Sequence, residues 1–184
     1  IDKCRTSMGR RTLKQWILRP LANKEKIEER QDAVATIARS SKRLDNLRDN
    51  LKGLRDMERL ATQLSYNRSG GRDLVAIGLA LERMPRLKSI CNEVDDYLLN
   101  RLAKDLDVLE VMRIDIQANL NDEQPLSLRD GGLIREGIDK KLDELREAAA
   151  KGQQWFKDLE IRERARLEIP SLKVRHNRQI GWYI

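Results

Sequence analysis

At 184 residues the chain has room for one or two domains with a packed core. Charged residues make up 36% and aromatics 4%, a balance that favours long exposed helices over a compact globule. No apolar run is long enough to span a bilayer and no secretory-signal pattern occurs, so a membrane partner is not expected. Cys4, Cys91 and the single histidine, His176, cannot assemble a zinc site, and their spacing reads as reduced cytosolic thiols.

The net charge of +7 is unevenly placed. Residues 1–19 carry Lys3, Arg5, Arg10, Arg11, Lys14 and Arg19 against Asp2, and residues 171–184 carry Lys173, Arg175 and Arg178 with no acid. The stretch between is close to neutral. Basic ends around a neutral middle suit a nucleic-acid backbone, or alternatively an acidic neighbouring domain.

In chain order, Thr6 or Ser7 caps a first helix that points Leu13, Trp16 and Ile17 inward and stops at Pro20. Asn23 caps a second with Ile27, Val34, Ile37 and Ala38 on its apolar face, broken at Ser40-Ser41. Leu44, Leu47, Leu51 and Leu54 form a helical stripe with a weak point at Gly53. Asp56 to Leu64 continues helically with Met57, Leu60 and Leu64 inward. A turn cluster at 67–72 follows, and Asp73 caps a helix carrying Leu74, Ile77, Leu81 and Met84, ended by Pro85. Helix is then expected from about Arg86 to Leu120, with an interruption near Asp95-Asp96. In the irregular stretch after it, Asp130-Gly131-Gly132 suits a hairpin between Leu126/Leu128 and Leu133/Ile134.

The longest predicted helix runs from Asp139 to about Arg166. Ile138, Leu142, Leu145, Ala149, Gly152, Phe156 and Leu159 recur along it as a heptad seam that wants a partner helix. Its length of roughly 40 Å makes it a strut. Trp16, Trp155 and Phe156 are expected in the core. Beyond the strut, Leu172 and Val174 alternate with Lys173 and Arg175, which is strand periodicity, and Ile180, Trp182 and Ile184 start a second alternating run. That run ends in mid-pattern and the chain starts at Ile1, which suggests a piece of a larger protein cut just after entering a new domain.

No catalytic motif is legible. Gly132 to Gly137 has the glycine spacing of a phosphate-binding loop but lacks the following Lys and Ser/Thr. No nucleophile elbow, zinc-protease pair or dinucleotide fingerprint occurs, and one histidine makes a triad improbable. Carboxylate pairs such as Asp95-Asp96 and Glu28-Glu29 fall in solvated helical settings. No catalytic residue, metal ligand or cofactor is therefore assigned, and the chain itself is not expected to be an enzyme.

Four segments, taken together, resemble the middle of the MutS family of DNA mismatch repair proteins. They are the run from Thr6 to Leu21 (TSMGRRTLKQWILRPL), Leu54 to Leu60 (LRDMERL) with Arg72-Asp-Leu74, Leu128 to Gly137 (LRDGGLIREG) leading into Leu142-Asp-Glu-Leu145, and Leu172 to Ile184 (LKVRHNRQIGWYI). Order and spacing fit over nearly the whole chain. The resemblance implies a mainly α fold in which residues 1–168 form a multi-helix core or lever domain, with a lever helix at about 139–166. Residues 169–184 would be the first strands of a truncated β clamp domain. It implies a region that helps encircle double-stranded DNA through backbone contacts and couples that binding to a distant ATPase absent here. ATP and Mg would belong to the parent family only. It further implies a dimeric parent, a MutL-type repair partner, and a cytoplasmic, nucleoid-associated location in bacteria or a nuclear one in eukaryotes.

Lys173, Arg175 and Arg178, with the amide of Asn177, are the residues expected to meet phosphates, holding DNA without reading its sequence. The bland reading makes Lys173 and Arg175 the solvated face of a strand, and His176 a turn or packing residue. Two departures from the family pattern leave the subfamily open: Arg175-His176 stand where a small glycine and an aromatic are common after Lys-Val, and Trp182-Tyr183 replace a tyrosine pair. Two alternatives remain: a helical protein-interaction scaffold, or a MutS-like paralogue that binds branched DNA without sensing mismatches.

Overall fold

The computed structural model describes residues 2–177 and 181–183, excepting the side chains of Arg129 and Asn177. It is mainly helical and divides into two compact units, residues 1–135 and 136–184. The first holds α1 (Ser7–Leu18), α2 (Lys24–Ala38), α3 (Ser41–Leu51), α4 (Met57–Ser65), α5 (Gly71–Asn92), α6 (Tyr97–Asp105) and α7 (Glu110–Asn119). The second holds α8 (Lys140–Leu167) and an antiparallel pair, β1 (Arg175–Asn177) and β2 (Gly181–Tyr183).

Local chemistry sets most helix starts. Thr6, Asn23, Ser40, Asp56, Asp96 and Asp139 each accept a backbone N–H three residues on, at 2.8–3.3 Å. Each thereby satisfies a donor that the first turn leaves orphaned. The α3 helix ends at Leu51, and the chain turns through Gly53 at φ +74°, a conformation costly for a side chain with Cβ.

Around α5 the first unit packs its core. This helix contacts α3, α4, α6 and α7, and it buries Ala76, Ile77, Ala80, Leu81, Met84, Leu87 and Ile90. Leu60 of α4 joins the same cluster with no exposure at all. At Gly78 a Cβ would lie 2.8 Å from Ile116 of α7, so only glycine allows the two helices this approach.

Several expected boundaries move. Asp73 does not start α5: Gly70 is the N-cap, and the Asp73 carboxylate reaches back to the Gly70 N–H at 3.2 Å. Nor does Pro85 end α5, which runs through it to Asn92. An interior proline costs about 3 kcal/mol. Buried Leu81 and Met84 before it and Leu87 and Ile90 after it contribute about 1.5–3 kcal/mol each, which offsets the loss. The break at Asp95-Asp96 is present, and a second separates α6 from α7, where Leu109 takes φ +46° while its N–H bonds Asp107.

The expected 126–134 hairpin is absent. Leu128–Asp130 form a 3-10 turn, and the pairing is instead Leu120 with Ile134, flanked by Asn121 N–H to Leu133 carbonyl and Arg135 N–H to Asn119 carbonyl. The apolar face of α2 is also displaced: Ala33 and Ile37 are buried while Val34 and Ala38 are exposed. Leu64 is likewise exposed.

Candidate nucleic-acid interface

The 28-residue α8 spans roughly 42 Å. No residue of it is buried. Of the heptad seam, Ile138 and Leu145 are largely exposed and Leu142, Phe156 and Leu159 are half-buried, so the seam has no helix packed along it within its unit. The helix relies on its own chemistry: the Asp139 cap and the pairs Glu147–Lys151, Asp143–Arg146, Glu160–Arg164 and Glu163–Arg166.

At its C-terminal end Glu168 adopts φ +54° and the chain folds back on the last turns. Arg164 donates to the Leu172 carbonyl at 2.8 and 3.1 Å, and the Val174 N–H donates to Glu160 Oε2 at 2.9 Å. One i,i+4 ion pair thus holds the backbone on either side of Lys173, just before β1, where Leu172 is buried. Register follows: Arg175 faces Tyr183, His176 faces Trp182 and Asn177 faces Gly181.

Because directly opposed residues share a face of a strand pair, the two faces differ in chemistry. His176 and Trp182 take the face toward α8, where Trp182 stacks on Phe156 with ring centroids 3.6 Å apart and His176 meets Trp182 edge-on at 5.1 Å. His176 thus touches the Trp182 ring, but both residues are exposed, Trp182 at 45%. The opposite face carries Arg175 and Tyr183, both exposed. Lys173 is exposed too, and among the described residues neither Lys173 nor Arg175 has a carboxylate partner. Asn177 lies in β1, but its side chain, like the whole of Arg178, falls outside the described residues.

Sequence reasoning erred on the aromatics. Trp155 is 54% exposed and meets Phe156 edge-on at 4.9 Å, and Trp16 is 45% exposed beneath the Arg30 guanidinium, which lies 3.7 Å from its ring centroid. Phe156, a seam residue, is half-buried and meets both Trp155 and Trp182. Trp155 lies off the seam, and apolar character by itself does not say which ring a neighbour covers. The Glu160–Arg164 clasp was missed as well. Its signal was the helical spacing of an acid and a base just before a strand, which is too common to single out.

Part of the basic N-terminal charge is answered within the chain. Arg11 forks onto Asp56, with Nη2 to Oδ1 at 2.8 Å, and also pairs with Glu58, while Arg10 pairs with Asp2 at 2.6 Å. The Arg11 guanidinium, with the Arg59 N–H and the Ser7 hydroxyl, holds the Asp56 carboxyl well below the ordinary carboxylate range. Lys3, Arg5, Lys14 and Arg19 have no carboxylate partner among the described residues, so uncompensated positive charge remains at both ends of the chain.

The Gly132–Gly137 stretch does not fit a nucleotide phosphate. Ile138 and Asp139 follow it, and the Asp139 carboxylate already occupies the helix N-terminus that such a loop would leave to the phosphate. Among the described residues, no helix is long and apolar enough to cross a membrane.

Comparison with known proteins bears on the same residues. A family model described as MutS domain III matches residues 1–174, ending one residue before β1. The DNA mismatch repair protein MutS of Exiguobacterium sp. is 40% identical over 184 residues, covering all of this chain and 22% of the relative. MutS proteins of Halothermothrix orenii and Macrococcus caseolyticus are 37% and 36% identical, again over the whole chain and 20% and 21% of the relatives. The chain thus spans about a fifth of the length of the curated relatives it matches. With a helical unit built on α5, a long helix and a terminal strand pair in the order its motifs imply, the chain belongs to the MutS domain III family of DNA mismatch repair proteins.

Proposed function

We propose that this chain is the lever and clamp-entry region of a MutS-type mismatch repair protein, residues 1–168 serving as lever and 169–184 as the start of the clamp. Lys173, Arg175, Asn177 and Arg178 contact phosphates of double-stranded DNA, and α8 transmits the state of that contact toward an ATPase lying elsewhere in the protein. ATP and Mg act there and not on these residues. A dimeric parent, a MutL-type partner and a cytoplasmic location belong to the same reading. The observation that carries it is the acid-free tail, with Lys173 and Arg175 exposed and unpaired among the described residues, on a strand pair tied to α8 by the Phe156–Trp182 stack.

Phosphate contacts release counterions, so affinity falls with salt in proportion to their number. Three cationic contacts predict a log–log slope of about −2.7 for duplex binding by fluorescence anisotropy, and Lys173→Ala with Arg175→Ala flattens it to about −0.9. An unchanged slope in the double variant rejects these two residues as the contacts.

A second reading, a helical scaffold for proteins, draws on the exposed Leu145, Trp155 and Ile161 of α8 and on Ile138 just before it. Absence of duplex binding even at low salt would favour it.

A further inference from the structure

A cleft of about 400 Å³ borders α5 in the first unit, closed on one side by the α3–α4 connection and on another by the 121–124 segment. Leu54, Val75 and Leu79 give it an apolar wall. Three guanidinium groups line the rest, those of Arg55, Arg72 and Arg83.

How these arginines are held is the informative part. Arg83 donates through Nη1 to the carbonyls of Asn50 and Lys52 at the end of α3. Arg72 donates through Nε to the Gln124 carbonyl at 3.2 Å. A carbonyl oxygen orients a guanidinium without cancelling its charge, and a guanidinium has five donors to share. Most donors of Arg72 and Arg83 are therefore uncommitted, and among the described residues neither has a carboxylate partner. Arg55 stands 3.9 Å from Asp73, whose other oxygen accepts the Gly70 N–H. The acid in the cleft lining, Asp122, is engaged by Arg135 at 2.7 Å. The cleft keeps a surplus of oriented positive charge.

We infer that this cleft is an oxyanion site that takes a phosphate group, with Arg72 and Arg83 as its main donors and Arg55 at its edge. A phosphate monoester carries about −1.5 to −2 charge at neutral pH and three acceptor oxygens. That matches two guanidinium forks better than a single carboxylate, which would leave one fork uncompensated. The site lies on other elements than the tail and does not depend on the DNA contact proposed for it. The phosphate has two possible sources, a free phosphorylated compound or a nucleic-acid backbone, where two neighbouring phosphodiesters of one charge each would be needed to match both forks, and the apolar wall suits the non-phosphate part of either.

The test titrates the full chain at low salt with inorganic pyrophosphate by calorimetry, and with a short DNA duplex by anisotropy. Arg72→Gln is the main variant, since Arg72 makes a single bond to a loop carbonyl, and Arg55→Gln is the second. Arg83→Gln is avoided because it also frees the end of α3. Saturable pyrophosphate binding weakened about tenfold or more by Arg72→Gln supports the site and assigns a free phosphate compound. Duplex binding weakened by Arg72→Gln, without pyrophosphate binding, supports it and assigns the backbone. Binding of neither probe, or binding indifferent to both variants, overturns it. The Lys173→Ala, Arg175→Ala variant keeps the two proposals apart, because pyrophosphate binding in the cleft is unchanged by it.

Discussion

Residues 1–135 surround α5 with other helices and bury an apolar sector along most of its length, whereas α8, the longest helix, has no fully buried residue. The two helices are stabilised by different physics. In α5 tertiary burial prevails over local preference, so the helix passes through Pro85 and begins at a glycine. In α8 local preference has to suffice, and the helix accordingly has a side-chain cap, i,i+3 and i,i+4 ion pairs and Arg164 and Arg166 in its last turn, where they oppose the helix dipole. Such terms amount to tenths of a kcal/mol each. A helix so held is a rod whose apolar seam is available to a partner.

The sharpest way to break the comparison is to remove the same side chain from each helix system. Leu60→Ala, at a site with no exposure, is expected to cost about 2–5 kcal/mol in denaturant unfolding. Leu145→Ala on α8, 61% exposed, is expected to stay within about 0.5 kcal/mol. Equal losses would mean that the α8 seam is covered in solution, for instance by a second copy of the chain, and sedimentation would then report a dimer.

A smaller effect separates the strand pair from the rod that carries it. Two strands of three residues are marginal alone, and the Phe156–Trp182 stack and the Glu160–Arg164 clasp hold them. Aromatic pairs contribute about 0.5–1.5 kcal/mol beyond area. Phe156→Ala should therefore speed amide exchange in β1 and β2 by roughly three- to tenfold while leaving the core amides of α5 unchanged. Unaltered protection in the strands would assign their stability to the clasp alone.

The smallest effect is at the α1–α4 contact, where Arg11 and Glu58 are exposed and screened and only Asp56 is partly buried. Asp56 titrates below its ordinary value in the folded state, chiefly because of Arg11. Its contribution is then complete above the unfolded carboxylate value near about 3.9 and is lost as pH falls toward the depressed one. Carboxyl-carbon NMR should show Asp56 still ionised when exposed carboxylates are half protonated. A titration at the ordinary midpoint would mean that the Arg11 fork does not persist in solution.

Much of this was legible in the residues. Thr6, Asn23 and Asp139 announce helix starts because a cap is a contact between a side chain and a backbone only three residues away, whereas Asp96 reads in the sequence only as an interruption. The long helix and the alternation around Lys173 and Arg175 follow from periodicity, and the four motif segments led to the family. What failed was non-local. Pro85, Val34, Trp16 and Trp155 were assigned from local preference or from one-dimensional apolar spacing, and neither records which face a neighbour covers.

Sequence alone determined the helical class, the caps at Thr6 and Asn23, the strut, the basic acid-free tail and the family, because each rests on short-range chemistry or on residue order. Tertiary structure decided that α5 continues through a proline, that Leu120 pairs with Ile134, that Glu160 and Arg164 clasp the strand, and that three arginines share one cleft. Those outcomes depend on burial and on contacts between residues distant in the chain, whose free energies outweigh the local preferences that a reading along the sequence can weigh.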